Sequence, residues 1–369
     1  MIIYIITALS LLVFAVLSDI KYFRDKKIFQ TVFLFFGCIE LFVISGFRLN
    51  TGMDYPAYTR TFTGLVGKSL TDLSKERMEK GYIFLNRYIQ LFTNNFRVLF
   101  VVTSLIVIAL VGIILYKYCK NPSLGLLIFY LTGFYFNSMN FIRAMLAAVV
   151  ILFAYKYIRD KRFLRFAAIV FLASAFHLSA LLVIPFFFIL NIKFNRVTVV
   201  VFASIGSIIF LFSTDIMLFF TTYIYTSYSP ETSLQMFGGI YSAYSFFILG
   251  ILVCALLLRK DIEQSSGWGT ILISATFFDF YFGLIGSKHA ILSRFALYFG
   301  PMMALILVPF IIRLTINKII NKSDIKLIHQ MRTYFCLIVT SASSIAFFVY
   351  ALYRNYNHVV PHDWIWNLK

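Results

Sequence analysis

Charged residues are scarce in this sequence, and acidic residues are the scarcest. Only 13% of the 369 residues are Asp, Glu, Lys or Arg, and only 15 are acidic. A soluble domain carries about 25% charged residues, so a soluble globular protein of this length is excluded. Hydrophobic residues instead make up 61% of the chain. The composition therefore indicates an integral membrane protein.

Signatures of cofactor chemistry are also missing. The four cysteines lie in separate apolar segments, and no CxxC or Cys/His spacing suits a metal. We interpret them as small apolar residues of the core. The sequence has no glycine-rich phosphate loop and no nucleophile elbow. These absences argue against ATP-driven or metal-dependent chemistry, and we expect no cofactor.

Long apolar runs dominate what is present. They are too long and too unalternating for barrel strands, and lipid offers no partner to exposed backbone, so the spans should be helices. We predict an all-α, polytopic integral membrane helix bundle with about 11–12 membrane segments, forming a single transmembrane domain over residues 1–369. The apolar runs are 2–17, 29–45, 97–116, 122–137, 141–158, 163–190, 197–213, 241–258, 268–286, 290–312 and 332–353.

Basic residues predict the orientation of the spans. The net charge is +18, and Lys and Arg cluster in short connections such as 18–28 and 156–165. Such clusters mark cytoplasmic loops, which accounts for the charge without a nucleic-acid partner. We therefore place both termini and the loops 46–96 and 214–240 outside. The second of these loops contains no Lys or Arg.

The run 163–190 conflicts with a simple crossing, because basic clusters flank both of its ends. Its length is too great for one straight span and too small for two. We predict a re-entrant hairpin of two half-helices, with His177 near the tip. Backbone that turns within a membrane needs protein or a water-filled cavity to satisfy it. One long tilted helix is the alternative.

Ionisable groups at span ends are costly and mark function. In this topology three arginines, a histidine and an aspartate converge on the outer face, which predicts an anion site with a base. Structural alternatives remain: the arginines can reach headgroups, His177 can be a core histidine, and Asp54 or Glu79 can serve a helix start. Glu40 and Asp279, deeper in spans, should pair with an arginine or a hydroxyl. The candidate site residues are Arg48, Asp54, Tyr55, Tyr58, Glu79, Asn140, Arg143, His177, Arg294 and Tyr298.

Five blocks of residues follow one another between about residues 46 and 300. They are Phe47-Arg48 with Gly52-Met53-Asp54-Tyr55 and Tyr58; Glu79-Lys80-Gly81-Tyr82 with Leu85-Asn86; Asn140-Phe141-Ile142-Arg143 with Ala147; Ala173 to Leu181, around His177, with Pro185; and Ser293-Arg294 with Tyr298-Phe299. This ordered set resembles the EpsG family of Wzy-type polysaccharide polymerases. Two departures, Ala144 where the family often has Gln and Lys80 where it often has Pro, remove no charged group.

The resemblance implies a multi-pass protein of the bacterial inner membrane, GT-C-like in fold, with its active site on the outer, periplasmic side. It implies metal-independent, inverting polymerisation of undecaprenyl-pyrophosphate-linked oligosaccharide repeat units into an O-antigen, capsule or exopolysaccharide. The expected partners are that lipid-linked oligosaccharide and membrane lipid. A flippase and a chain-length regulator are further candidates.

This chemistry assigns roles to the candidate residues. Arginines stabilise the pyrophosphate leaving group, with Arg143 and Arg294 as first choice and Arg48 next. A base takes the proton of the acceptor hydroxyl, and both His177 and Asp54 qualify. The other candidates are expected to bind substrate, with two tyrosines stacking on sugars; they are Tyr55, Tyr58, Glu79, Asn140 and Tyr298.

Two other functions stay open at the level of sequence. A polysaccharide or O-antigen ligase, which moves finished polymer onto a lipid acceptor, would use similar arginines and a histidine. A polysaccharide flippase or transporter typically has internal repeats and charges near the midplane. This sequence has no repeat, and its charges gather at one face, which favours an enzyme.

Overall fold

The computed structural model describes residues 1–69, 72, 76, 78–224, 239–265, 267–289, 292–320 and 327–364. The chain forms two compact units. The first comprises Met1–Tyr157, Arg162–Ile184 and Phe348–Lys369, and the second comprises Ile158–Lys161 and Pro185–Phe347. The single transmembrane domain stays a prediction, and part of the predicted outer loop 214–240 lies outside the described residues.

The first unit is helical apart from a short strand pair. Its strands, β1 (Arg48–Leu49) and β2 (Asp363–Trp364), run antiparallel, with Arg48 opposite Trp364. Two 3-10 helices, Leu178–Val183 and Tyr356–His358, accompany the α-helices. These are α1 (Ile2–Asp19), α2 (Lys21–Arg24), α3 (Lys27–Gly46), α4 (Tyr55–Gly64), α5 (Lys80–Gln90), α6 (Arg97–Tyr118), α7 (Pro122–Leu131), α8 (Phe134–Asn140), α9 (Ile142–Arg159) and α10 (Phe163–Ser174).

Helix α7 is almost entirely buried. Asn121 caps it by accepting a hydrogen bond from the backbone N–H of Leu124 at 3.0 Å, and Pro122 fills the first turn, where no N–H is needed. Every residue of α7 except Leu124 is buried, and α1, α3 and α6 pack against it. The polar cap thus starts a helix whose apolar side chains form a core.

The second unit is also helical. Helix α16 packs against α14 and against the 3-10 helix Leu292–Tyr298, and two π-helices, Phe220–Ile224 and Met303–Leu307, interrupt the regular spans. Its α-helices are α11 (Phe186–Ile189), α12 (Arg196–Leu211), α13 (Ser213–Phe219), α14 (Gly239–Leu257), α15 (Arg259–Ser265), α16 (Gly269–Gly286), α17 (Gly300–Met302), α18 (Val308–Ile320) and α19 (Leu327–Tyr353), whose last turns belong to the first unit.

Within the described residues the apolar runs of the sequence are mostly helical, with short breaks such as the turn over residues 175–177. Six helical segments within the described residues are long and apolar enough to cross a membrane, and the pair α12 and α13, bent by 62°, adds a seventh if it is one span. The prediction of an all-α, polytopic membrane helix bundle is confirmed. The six are Ile2–Asp19, Lys27–Gly46, Arg97–Tyr118, Gly269–Gly286, Leu292–Ile320 and Gln330–Tyr353.

The two acids deep in spans have hydroxyl partners, as predicted. Ser10 Oγ donates to Glu40 Oε2 at 2.7 Å. Tyr244 Oη lies 3.0 and 2.9 Å from the two carboxylate oxygens of Asp279. Both interactions satisfy a carboxyl group that apolar surroundings would otherwise penalise.

The run 163–190 breaks in the middle. Helix α10 ends at Ser174, the chain turns over residues 175–177, and the 3-10 helix Leu178–Val183 packs against α10. Neither Phe163–Ser174 nor Leu178–Ile189 is long enough to span a membrane alone. His177 lies at the break, but the re-entrant path through the membrane stays a prediction.

Candidate active site

Glu79 joins two of the predicted site residues, which lie 64 and 98 positions away in sequence. Its Oε2 accepts a hydrogen bond from Arg143 Nη1 at 2.5 Å, and its Oε1 accepts one from His177 Nδ1 at 2.9 Å. The backbone N–H of Leu178 also points to Oε1, at 3.3 Å. One carboxylate therefore fixes a guanidinium and an imidazole relative to each other. We call Glu79, Arg143 and His177 the central cluster.

The central cluster is largely covered but still reaches the surface. The exposed fractions of its side chains are 28% for Arg143, 12% for Glu79 and 9% for His177. The Arg143 guanidinium also lies 5.9 Å from the centre of the Tyr82 ring. Partial burial strengthens the charge interactions while leaving the arginine accessible to an anionic ligand.

A close backbone contact holds Glu79 in place. Glu79 precedes α5, and the Gly81 N–H donates to the carbonyl of Ala175, at the turn after α10, at 2.8 Å. A Cβ at position 81 would lie only 2.6 Å from that carbonyl oxygen. The glycine therefore lets the start of α5 touch the turn that carries His177.

Replacing Gly81 with alanine should disrupt this contact. The added methyl group would meet backbone rather than a flexible side chain, so we expect the free energy of unfolding to fall by about 1–3 kcal/mol. The measurement is thermal unfolding of the purified protein in detergent. Gly64→Ala is the control, because a Cβ there has no neighbour within 4 Å. Equal stability of the two variants would contradict the assigned contact.

The electrostatics of the central cluster favour an ionised Glu79. Burial raises the pKa of this carboxyl, but the hydrogen bond from His177 and the charge of Arg143 outweigh burial and lower the pKa to about 2. A carboxylate can only accept hydrogen bonds, so the proton of a neutral His177 is on Nδ1. Its Nε2 then carries the lone pair and can act as a base.

Arg48 is built into the interior of the first unit. It is 1% exposed, and its guanidinium donates to the carbonyls of Ser45, Thr51 and Met139, the last at 2.9 Å. The guanidinium also lies 4.8 Å from the centre of the Phe100 ring. These contacts tie the end of α3 to the following loop. In this structure Arg48 is enclosed by these contacts, and its assignment to the pyrophosphate stays a prediction from sequence.

A hydrogen bond joins the backbone of Asp54 to the side chain of Asn140. Asp54 is partly buried and directly precedes α4, without a side-chain cap on that helix. Its N–H donates to Asn140 Oδ1 at 2.8 Å. Asn140 is 1% exposed, so its amide supports the loop from inside, and its predicted contact with substrate stays a prediction.

The tyrosines of α4 are packed rather than open. Tyr55 is 2% exposed and stacks on Phe100 with ring centres 4.1 Å apart, and Tyr58 is 8% exposed and meets the edge of Tyr82 at 6.0 Å. In this conformation both rings pack against other aromatic rings. Sugar stacking by these two rings would require α4 to move.

Arg294 and Tyr298 belong to the second unit, within the 3-10 helix Leu292–Tyr298. Arg294 is partly buried and Tyr298 is 1% exposed. Their assignment to pyrophosphate and substrate binding stays a prediction from sequence.

Sequence reasoning missed Asn357, which joins Asn137 and Asn140 beside this loop. Asn357 Nδ2 donates to Asn137 Oδ1 at 2.9 Å, and Asn140 Nδ2 donates to Asn357 Oδ1 at 3.1 Å. The available signal was the cluster Asn355-Tyr356-Asn357 after the last span, since asparagine tolerates the left-handed backbone of tight turns. Within the described residues, no three His, Cys, Asp or Glu side chains gather as a metal-binding group.

Comparison with known proteins agrees with the resemblance seen in the sequence. No curated protein and no solved structure matches this chain. A family comparison, however, matches residues 31–363 to the EpsG family. The matched range contains the central cluster, the loop around Asp54 and most of the segment after α19. This membrane helix bundle therefore belongs to the EpsG family, whose members are Wzy-like polysaccharide polymerases.

Proposed function

We propose that this protein polymerises undecaprenyl-pyrophosphate-linked oligosaccharide repeat units at the outer face of the bacterial inner membrane. The observation that carries this proposal is the bridge from Glu79 to both Arg143 and His177. Transfer of a growing glycan from a pyrophosphate requires a cation for the leaving group and a base for the acceptor hydroxyl. The central cluster supplies both in one rigid arrangement.

Arg143 serves the leaving group in this proposal. The bond between the anomeric carbon and the pyrophosphate oxygen breaks, and the electron pair stays on that oxygen. A preorganised guanidinium stabilises the developing charge through hydrogen bonds that match phosphate oxygens. Glu79 occupies one N–H of Arg143 and orients the group.

His177 serves the acceptor. The acceptor oxygen forms the new bond to the anomeric carbon from the face opposite the leaving group, which inverts the configuration, and its proton passes to His177 Nε2. Glu79 holds the imidazole by Nδ1 and stabilises the imidazolium that forms, as a carboxylate does in a histidine dyad. Because Glu79 orients His177, we favour His177 over Asp54 as the base.

The roles predicted from sequence for the other candidate residues are revised in this proposal. We propose that Arg48, Asn140 and the tyrosines Tyr55 and Tyr58 support the loop, while Asp54 contacts the acceptor sugar. The role of Arg294 at the pyrophosphate rests on its sequence context. The isoprenoid chain is expected to lie among the spans, and a flippase and a chain-length regulator would act before and alongside the reaction.

Reconstitution tests the proposed function. The purified protein in liposomes receives an undecaprenyl-pyrophosphate-linked repeat unit, and gel analysis should reveal a ladder of glycan lengths on the same lipid. His177→Gln is the paired inactive variant, expected to lower the rate by about 10²–10⁴-fold. One transfer to a different lipid acceptor would indicate a ligase instead. Movement of labelled lipid across the bilayer without a new glycosidic bond would indicate a transporter.

A further inference from the structure

The segment after the last helix folds back over the loop that carries Asp54. We call residues 355–364 the C-terminal strap and residues 48–54 the Asp54 loop. β2 of the strap pairs with β1 of the loop. The backbone N–H groups of Gly52 and Met53 donate to the strap carbonyls of His358 and Asn357, at 3.0 and 3.1 Å. The strap therefore provides hydrogen-bond partners for a loop that has little secondary structure of its own.

Left-handed backbone gives the strap its shape. Asn355, Asn357 and His358 have φ angles of 49°, 63° and 54°. The Asn355 amide also closes the turn onto Val360, with its Nδ2 2.6 Å from the Val360 carbonyl and its Oδ1 2.8 Å from the Val360 N–H. Asparagine suits such positions because its side chain can replace backbone partners.

The far side of the strap is anchored to α1. Tyr4 Oη donates to the Val359 carbonyl at 2.9 Å and lies 2.9 Å from His362 Nδ1. Tyr4 itself is 0% exposed. The strap is thus held both by the buried Tyr4 of α1 and by the Asp54 loop.

A chain of amides leads from the strap to Asp54. Asn357 Oδ1 accepts from Asn140 Nδ2 at 3.1 Å, and Asn140 Oδ1 accepts from the Asp54 N–H at 2.8 Å. The Asn357 Nδ2 in turn donates to Asn137 Oδ1 at 2.9 Å. All three asparagines are less than 10% exposed. Asn140 and Asn357 each use both the Nδ2 donor and the Oδ1 acceptor of the amide in this chain, which determines the orientation of these two amides.

The loop approaches the end of α8 closely at Gly52. Gly52 has φ = 108°, and a Cβ at this position would lie 3.2 Å from the Met139 carbonyl oxygen. The Asp54 loop is therefore held between the end of α8 and the strap. Residues about 300 positions away in sequence bond the backbone just before Asp54, and Asn140 bonds the Asp54 N–H itself.

From these contacts we propose that Asn357 is a positioning residue and that the C-terminal strap sets the placement of Asp54 toward the acceptor sugar. This role rests on the polymerase activity proposed above. Asn357 acts through Asp54 and touches no reacting atom. Loss of the amide chain should weaken acceptor binding while leaving the central cluster of Glu79, Arg143 and His177 intact.

The test uses Asn357→Gly, which removes the amide but tolerates the left-handed φ. The full-length protein is reconstituted with labelled polymer on undecaprenyl pyrophosphate as donor, and the concentration of the lipid-linked acceptor unit is varied. We expect the KM for acceptor to rise about tenfold while the KM for donor is unchanged. His358→Gly is the matched control, because its exposed side chain stands next to Asn357 at a similar φ and only its carbonyl bonds the loop.

A double variant separates positioning from general damage. If Asn357 acts through Asp54, adding Asn357→Gly to Asp54→Ala should not raise the acceptor KM further. An additive increase, or a wild-type KM in Asn357→Gly, would overturn the proposal. Should Asn357→Gly fail to accumulate in the membrane, Asn140→Ala breaks the same chain one residue nearer to Asp54, and a wild-type KM there would equally overturn it. A wild-type protein that makes no polymer would refute the proposed function instead.

Discussion

Replacing Glu79 with glutamine is expected to lower the rate of polymer formation by about 10²–10⁴-fold, the range associated with loss of an oriented general base. The glutamine amide has one oxygen where the carboxylate has two. It can accept from His177 Nδ1 or from Arg143, but not from both in the present geometry. The imidazole loses its fixed tautomer or the guanidinium loses its partner. The measurement is the initial rate of ladder formation in liposomes.

The control for this variant is Glu76→Gln, the same substitution in the same loop. Glu76 pairs with Lys68 on a partly exposed surface, where an ion pair contributes little. We expect a rate close to wild type for Glu76→Gln. If Glu79→Gln were equally active, the carboxylate bridge would have no role in the reaction.

The lowered pKa of Glu79 also predicts how the stability of the folded protein depends on pH. Its pKa in the folded protein, about 2, lies below the ordinary value of 4.5. Ionised Glu79 therefore stabilises the fold fully above about pH 4.5, and this stabilisation is lost as the pH falls toward 2. Wild-type protein in detergent should lose more thermal stability over this interval than Glu79→Gln. Parallel losses in the two proteins would contradict the coupling of Glu79 to its partners.

Replacing Arg143 with alanine is expected to lower polymer formation by about 10²–10³-fold or more, because a preorganised cation at a leaving group contributes several kcal/mol to the transition state. Cells should accumulate a single lipid-linked repeat unit at normal protein levels. The variant also leaves Glu79 without its ion-pair partner. Mass analysis of extracted lipid-linked glycans, together with immunoblotting of membranes, measures both quantities.

Two further variants make the Arg143 result specific. Arg143→Lys keeps the charge but loses the planar fork, so it should recover only part of the activity. Arg60→Ala removes an exposed arginine of α4 and should leave polymer length unchanged. Full-length polymer from Arg143→Ala would show that the leaving group is stabilised elsewhere.

The sequence alone identified the class of protein and named Glu79, Arg143 and His177, three residues that the structure brings together. Apolar run length determines helical spans, because lipid leaves backbone groups no other partners. The same reasoning identified Arg143 and His177 as functional candidates, because ionisable side chains in or beside a span cost free energy. It also placed Glu79 correctly at the start of a helix. These results depend on local composition and spacing, which a sequence contains directly.

Only the tertiary structure decided what each polar side chain contacts. Glu79 precedes a helix without a side-chain cap to it, because its oxygens are taken by Arg143 and His177 from distant segments. Arg48 had the same signature in sequence as Arg143, a cation beside a span. Arg48, however, is 1% exposed and donates to three backbone carbonyls, while 28% of the Arg143 side chain remains exposed. Whether a charge is buried in the fold or offered to a ligand depends on long-range hydrogen bonds, and spacing along the chain does not encode these.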